Sequence, residues 1–135
     1  MKVELNLPIK RKWFLMIAHG VKKEEYRDCE LASGVRLYNA WGRDRDYWRS
    51  KPLIVLRNGY RKDSPAIAKY ITYLDLRNKE TAKHPEWGEP KRKRSHLVFG
   101  LGSTVAAGTY AEVKAKLREI ISGDGARSKQ GDQDE

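Results

Sequence analysis

Lys22, Glu25 and Arg27 place an ammonium, a carboxylate and a guanidinium within "GVKKEEYRD", Gly20 to Asp28, a stretch in which six of nine residues are charged. In an extended segment Glu25 and Arg27 share one face, while Glu24 and Tyr26 share the other. Side by side in a sheltered hollow, this carboxylate and guanidinium would partly neutralise each other and still present an acceptor and several donors to a polar ligand. Lys22 lies three positions before Glu25, so strict alternation does not bring it to that pair. A bend where the strand starts is required. The competing reading is a solvent-facing edge strand whose charges guard against aggregation.

Other residues suit the same polar or anionic guest. Trp48 lies among Arg43, Arg45, Arg49 and Lys51, and Tyr60 lies between Arg57 and Arg61 in the turn-rich "RNGYRKDSP". Rings beside cations can stack a base, worth roughly 1–3 kcal/mol each, while the cations hold phosphates. Arg57, Asn58, Tyr60 and Arg61 are therefore binding candidates, with Trp48 divided between packing and stacking. Lys10, Arg11 and Lys12 fall outside the apolar stripe of the first helix, and Lys10 is a candidate phosphate contact. The run "KRKR", Lys91 to Arg94, is a solvated stretch that would strengthen backbone contacts if it lay near the site. His19, His84, His96 and Cys29 show no metal-ligand spacing, so no metal is expected. "GLGSTVAAG" lacks the order of a nucleotide-binding loop, and no cofactor is expected either.

The bulk properties agree with a polyanionic partner. The chain has 135 residues and a formal net charge of +10. Its last thirteen residues carry two basic and four acidic side chains, so the body before them stands at +12. A surplus of that size attracts nucleic acid, because each neutralised phosphate releases condensed counterions. Mean hydropathy is −0.78, and the longest apolar run, Trp13 to Ala18, is far shorter than the roughly 18 residues of a membrane span. The expectation is a cytoplasmic protein with no membrane partner, and the single Cys29 fits a reducing compartment.

The elements that must position these residues follow from periodicity. "KVELNLP" alternates like a half-buried strand. Ile9, Trp13, Met16 and Ile17 then recur at helical spacing, predicting a helix from Pro8 to His19 ended by Gly20, with Trp13 in the core. Strands are predicted over Val21 to Arg27, Val35 to Trp41, "PLIVLRN" and Ala66 to Leu76. "SHLVFGLG" returns to the sheet, and "TYAEVKAKLREII" forms a late helix with Tyr110, Val113, Leu117, Ile120 and Ile121 as its stripe. Residues 123–135 read as a disordered tail after one domain over 1–122. Alternating βαβ units are absent. The fold class is α+β: a small, mainly antiparallel barrel or strongly curved sheet with helices at its ends.

"GVKKEEYR" fits the pattern Gly-x-Lys-x-x-Glu-x-Arg through Gly20, Lys22, Glu25 and Arg27, and "LPIKRKWFLMIAH" supplies a strand-helix lead-in. With "LRNGY", "KDSP" and "PEWGEP" following in order, the chain from Met1 to Leu101 resembles the ASCH domain, the activating-signal-cointegrator homology family of the PUA-like superfamily, in its small bacterial and phage form. The resemblance implies a PUA-like β-barrel whose basic cleft binds RNA or another single-stranded nucleic acid, with Lys22, Glu25 and Arg27 lining that cleft. It also implies an alternative, because similar small members hydrolyse the modified nucleoside N4-acetylcytidine through a lysine, a threonine and a glutamate. Lys22 matches that lysine, but Glu25 stands in the threonine's place. A related branch is ribonucleolytic. On either enzymatic alternative Lys22 and Glu25 are the catalytic residues, as an acid and base pair. A domain that binds something other than nucleic acid is the third class.

Overall fold

The computed structural model describes residues 2–28, 52–78, 80–90 and 95–134. The chain runs through β1 (Lys2–Pro8), α1 (Arg11–Ala18), β2 (Glu24–Asp28), β3 (Pro52–Arg57), β4 (Pro65–Arg77), a single 3-10 turn at Pro85–Trp87, β5 (His96–Thr109) and α2 (Tyr110–Asp134). Five strands form one sheet in the order β1-β3-β4-β5-β2, with β1 parallel to β3 and every other pairing antiparallel. The α+β class is as the sequence predicts. The strand expected over Val35 to Trp41 lies outside the described residues.

β3, "PLIVLR", is apolar without alternation because both its faces are covered. Ile54 and Leu56 join Phe14 and Ile17 of α1, with Ile67, Ile71, Leu97 and Phe99, in one buried cluster. Leu53 and Val55 point the other way and meet Val113 and Leu117 of α2 across Ala66 and Ala68. Each helix thus seals one face of the sheet.

Alternation along β4 is interrupted. Its register against β5 shifts between Ala68 and Lys69, between Lys69 and Ile71, and between Ile71 and Tyr73. Unbroken alternation would put Ile71 and Leu74 on opposite faces, yet both pack on the α1 cluster. The irregularities re-aim the strand and place Tyr73 opposite Gly100. β5 continues to Thr109 through "GSTVAAGT", beyond the segment expected to return to the sheet. The helical backbone of α2 runs on from Gly123 to Asp134, through the stretch read as a tail.

The barrel expectation needs correcting. Among the described residues β1 and β2 are the two edges of an open sheet, and no ladder joins them. The gap is bridged by α1 and by a side chain: Arg27 Nη2 donates to the Pro8 carbonyl at 2.9 Å. Pro8 has no N–H to offer a neighbouring strand, which disfavours closure at that point.

α1 is shorter than predicted for a related reason. Pro8 still pairs with Arg57, and the Ile9 amide donates to the Arg57 carbonyl at 2.8 Å, so the ladder holds the chain extended until Lys10. At the other end Gly20 adopts φ 76°, the left-handed conformation that ends a helix. The amides of Val21 and Lys22 then both donate to the Met16 carbonyl, at 2.8 and 3.0 Å. This wrap turns the chain under the helix and delays β2 until Glu24, three residues later than predicted.

Candidate functional site

The wrap supplies the bend that simple alternation lacked. Lys22 precedes the strand and is only 2% exposed, with its ammonium turned toward Glu25. Nζ donates to the Trp87 carbonyl at 2.6 Å and lies 3.5 Å from Glu25 Oε1. Two rings flank the charge, Tyr26 at 4.3 Å and Trp13 at 5.4 Å from their centroids. Burial pulls the Lys22 ammonium below the ordinary lysine value, against the opposing pull of Glu25.

Glu25 and Arg27 stand one strand repeat apart on the face that Phe99 and Leu97 share across the ladder. Arg27 Nη2 donates to Glu25 Oε2 at 3.0 Å, so one carboxylate joins both cations. Arg27 Nε is buried without a hydrogen-bond partner. A guanidinium N–H left in that state bears its desolvation without compensation.

These groups line a cavity of about 270 Å³. Pro8, Ile9 and Lys10 form its rim at the end of β1, Trp13 enters from α1, and Lys22, Glu25, Tyr26 and Arg27 form its floor. Trp87 and Gly88 close the far side. Gly88 has φ 86°, and a Cβ there would stand 2.7 Å from the Trp13 ring, so glycine is required both for the turn and for the ring's approach.

On the opposite face of β2 lies a second charged group. Glu24 receives both Arg77 Nη atoms at 2.8 Å, the Tyr26 hydroxyl at 3.0 Å and the Tyr73 hydroxyl. Burial alone would raise the Glu24 carboxyl, but these donors outweigh it and hold it down to about 2. Tyr73 reaches Glu24 by crossing β5 at Gly100, where any Cβ would collide with its ring. Its phenol is pushed up to about 12 by burial and by the carboxylate. Glu89 Oε2 lies 3.4 Å from Arg77 Nη1 and 2.7 Å from His96 Nε2, extending the group to β5.

The cavity gathers four of the expected residues: Lys10, Lys22, Glu25 and Arg27. Asn58 reaches it indirectly, donating to the Ile9 carbonyl at 3.0 Å. Arg57 is committed to its own turn, with its guanidinium 3.4 Å over the Tyr110 ring and bonded to the carbonyls of Gly59 and Arg61. Tyr60 is 82% exposed, and Arg61 pairs with Asp63 in solvent. None of these turn side chains lines the cavity. Trp48 and Cys29 lie outside the described residues.

Trp13 is the principal misreading. Its helical spacing predicts core, yet it is half-buried and forms a cavity wall. Trp87, Tyr26 and Gly88 were missed as site residues. The signal available was "EWGE", an aromatic before a glycine in a polar loop. Among the described residues no three His, Cys, Asp or Glu side chains are grouped to hold a metal, and no helix is long and apolar enough to cross a membrane.

No protein-family model and no curated protein matches this chain. Among solved structures it is similar to ZmASCH from Zymomonas mobilis, crystallised as a serine-to-alanine mutant. The likeness has a TM-score of 0.49 at 9% sequence identity and covers 87% of this chain and 93% of the other.

Proposed function

We propose that this chain is an ASCH-type, PUA-like domain that binds single-stranded nucleic acid, with RNA as its ligand, and houses one nucleobase in the cleft. The observation that carries the proposal is the convergence of Lys22, Glu25 and Arg27 on one cavity walled by Trp13 and Tyr26. At about 270 Å³ it falls just below the roughly 300–1,000 Å³ of sites for drug-sized ligands, which suits a single base better than a stack of them. The Arg27 guanidinium, a third exposed, and the Lys22 ammonium donate to base carbonyl or phosphate oxygens, and Glu25 accepts from an exocyclic amino group. Trp13 and Tyr26 supply stacking inside the cavity, where Tyr60 does not reach. Lys10 at the rim and the basic turn after β3 hold the backbone.

Binding of a short labelled single-stranded RNA, followed by anisotropy against salt, tests this. The logarithm of the affinity should fall with log salt by about 0.7 per phosphate contact. Lys22→Ala and Arg27→Ala should weaken binding well beyond Lys116→Ala on α2. Absent or salt-insensitive binding ends the proposal.

The desolvated Lys22 beside Glu25 also favours a second reading, hydrolysis of a modified nucleoside or of RNA in the same cleft. No Ser, Thr or Cys is among the described lining residues, so Glu25 would act as a base toward water. Incubation with N4-acetylcytidine and with labelled RNA decides it: turnover lost in Glu25→Gln supports an enzyme, and no turnover by the wild type removes it.

A further inference from the structure

The segment from Lys83 to Glu89 is wrapped around a single carboxylate. Glu89 Oε1 accepts from the amides of Lys83 and His84 at 2.7 and 2.8 Å, and the Glu89 amide donates back to the His84 carbonyl at 3.2 Å. The other oxygen, Oε2, faces away from the loop and meets Arg77 of β4 and His96 of β5. One oxygen therefore serves the loop and the other serves the sheet. The side chain is fully buried and does not line the cavity. Its neighbours do: Trp87 offers its carbonyl to the Lys22 ammonium, and Gly88 packs on the Trp13 ring.

We propose that Glu89 is the positioning residue of the cleft, fixing the 83–89 loop to the sheet at the one distance that brings the Trp87 carbonyl onto Lys22. It acts on ligand through the loop and touches none itself. The assignment rests on the nucleic-acid reading for its effect on affinity, while the effect on the loop stands apart from any ligand. Loops without such an anchor drift, because their backbone bonds are few and exposed. Here the anchor saturates both oxygens of a carboxylate kept charged by those same donors, although burial opposes them.

Two conservative variants separate reach from charge. Glu89→Asp keeps the charge but is one methylene shorter and cannot span from the loop amides to Arg77 and His96. Glu89→Gln loses the charge and the Arg77 contact but keeps the length, with its carbonyl on the loop amides and its NH2 donating to a neutral His96 Nε2. Glu89→Asp should speed amide hydrogen exchange at Lys83 and His84 by about tenfold and weaken RNA binding by a similar factor, as outer-sphere orienting groups commonly do. Glu89→Gln should restore most of both. Val113→Ala, which opens the α2 cluster far from the loop, should lower thermal stability and leave both readouts unchanged.

Wild-type exchange and affinity in Glu89→Asp overturn the proposal. So does a loss of affinity in Val113→Ala equal to that in Glu89→Asp, since binding would then track stability alone. If the wild-type chain binds no RNA, the functional reading fails, and exchange at Lys83 and His84 still decides the role of Glu89.

Discussion

Glu24 and Glu25 are adjacent, chemically identical and both nearly buried, yet they belong to two different kinds of place. Glu24 accepts from two arginine nitrogens and two tyrosine hydroxyls, filling the acceptor capacity of a carboxylate. Glu25 meets one lysine and one arginine, and its neighbourhood retains an unpartnered guanidinium N–H and an open cavity. The pleat of the strand alone sends one to each face. Saturation, rather than burial or residue type, distinguishes these two carboxylates.

The largest test of that contrast is Glu24→Ala. It takes two hydrogen bonds from the buried Arg77 guanidinium, which keeps Asp75 and Glu89, leaves the Tyr26 and Tyr73 hydroxyls without their acceptor, and should cost about 3 kcal/mol in urea unfolding. The contrast breaks if this variant is no less stable than Glu25→Ala.

Acid titration should find the same asymmetry. Because the folded Glu24 carboxyl sits near 2 against an ordinary 4.5, its contribution to stability is complete above about 4.5 and is lost as pH falls toward 2. Tyr73 supplies the opposite limb, complete below its ordinary value of 10.0 and lost as pH rises toward 12. Urea midpoints across pH should therefore fall at both ends, and Glu24→Gln should flatten the acid limb.

Glu25→Ala should cost less, about 1–2 kcal/mol, since Lys22 keeps the Trp87 carbonyl and both rings. Its main effect should appear in RNA affinity. An unchanged affinity beside a large loss of stability would make Glu25 a second Glu24. Smallest of all is Arg61→Ala at the exposed turn, where the pair with Asp63 stands in solvent. Its unfolding free energy should move by less than about 0.5 kcal/mol, while any loss in RNA affinity should vanish at high salt.

What was legible in the sequence was local. Gly20 ending a helix, the shared face of Glu25 and Arg27, and the apolar strand β3 all follow from short-range periodicity and turn chemistry. The partnership of Glu24 with Arg77 and of Arg77 with Glu89 was not legible, because topology rather than spacing brings 24, 77 and 89 together. His96 leads an apolar strand and resembles any half-exposed histidine until Glu89 is placed beside it. Trp13 was misread because a helical stripe marks the face turned inward without telling a packed core from the wall of a cleft. The irregularities in β4 had no sequence signature, and they defeat alternation between Ile71 and Leu74.

The shared Met16 carbonyl at the end of α1 makes that helix a ruler. Each residue added to an α-helix turns everything after it by about 100° and advances it about 1.5 Å. Inserting or deleting one residue between Met16 and Gly20 would swing Lys22 off its target and carry the start of β2 with it. Length variation in this chain is therefore better tolerated at its exposed turns than in the eight residues of α1.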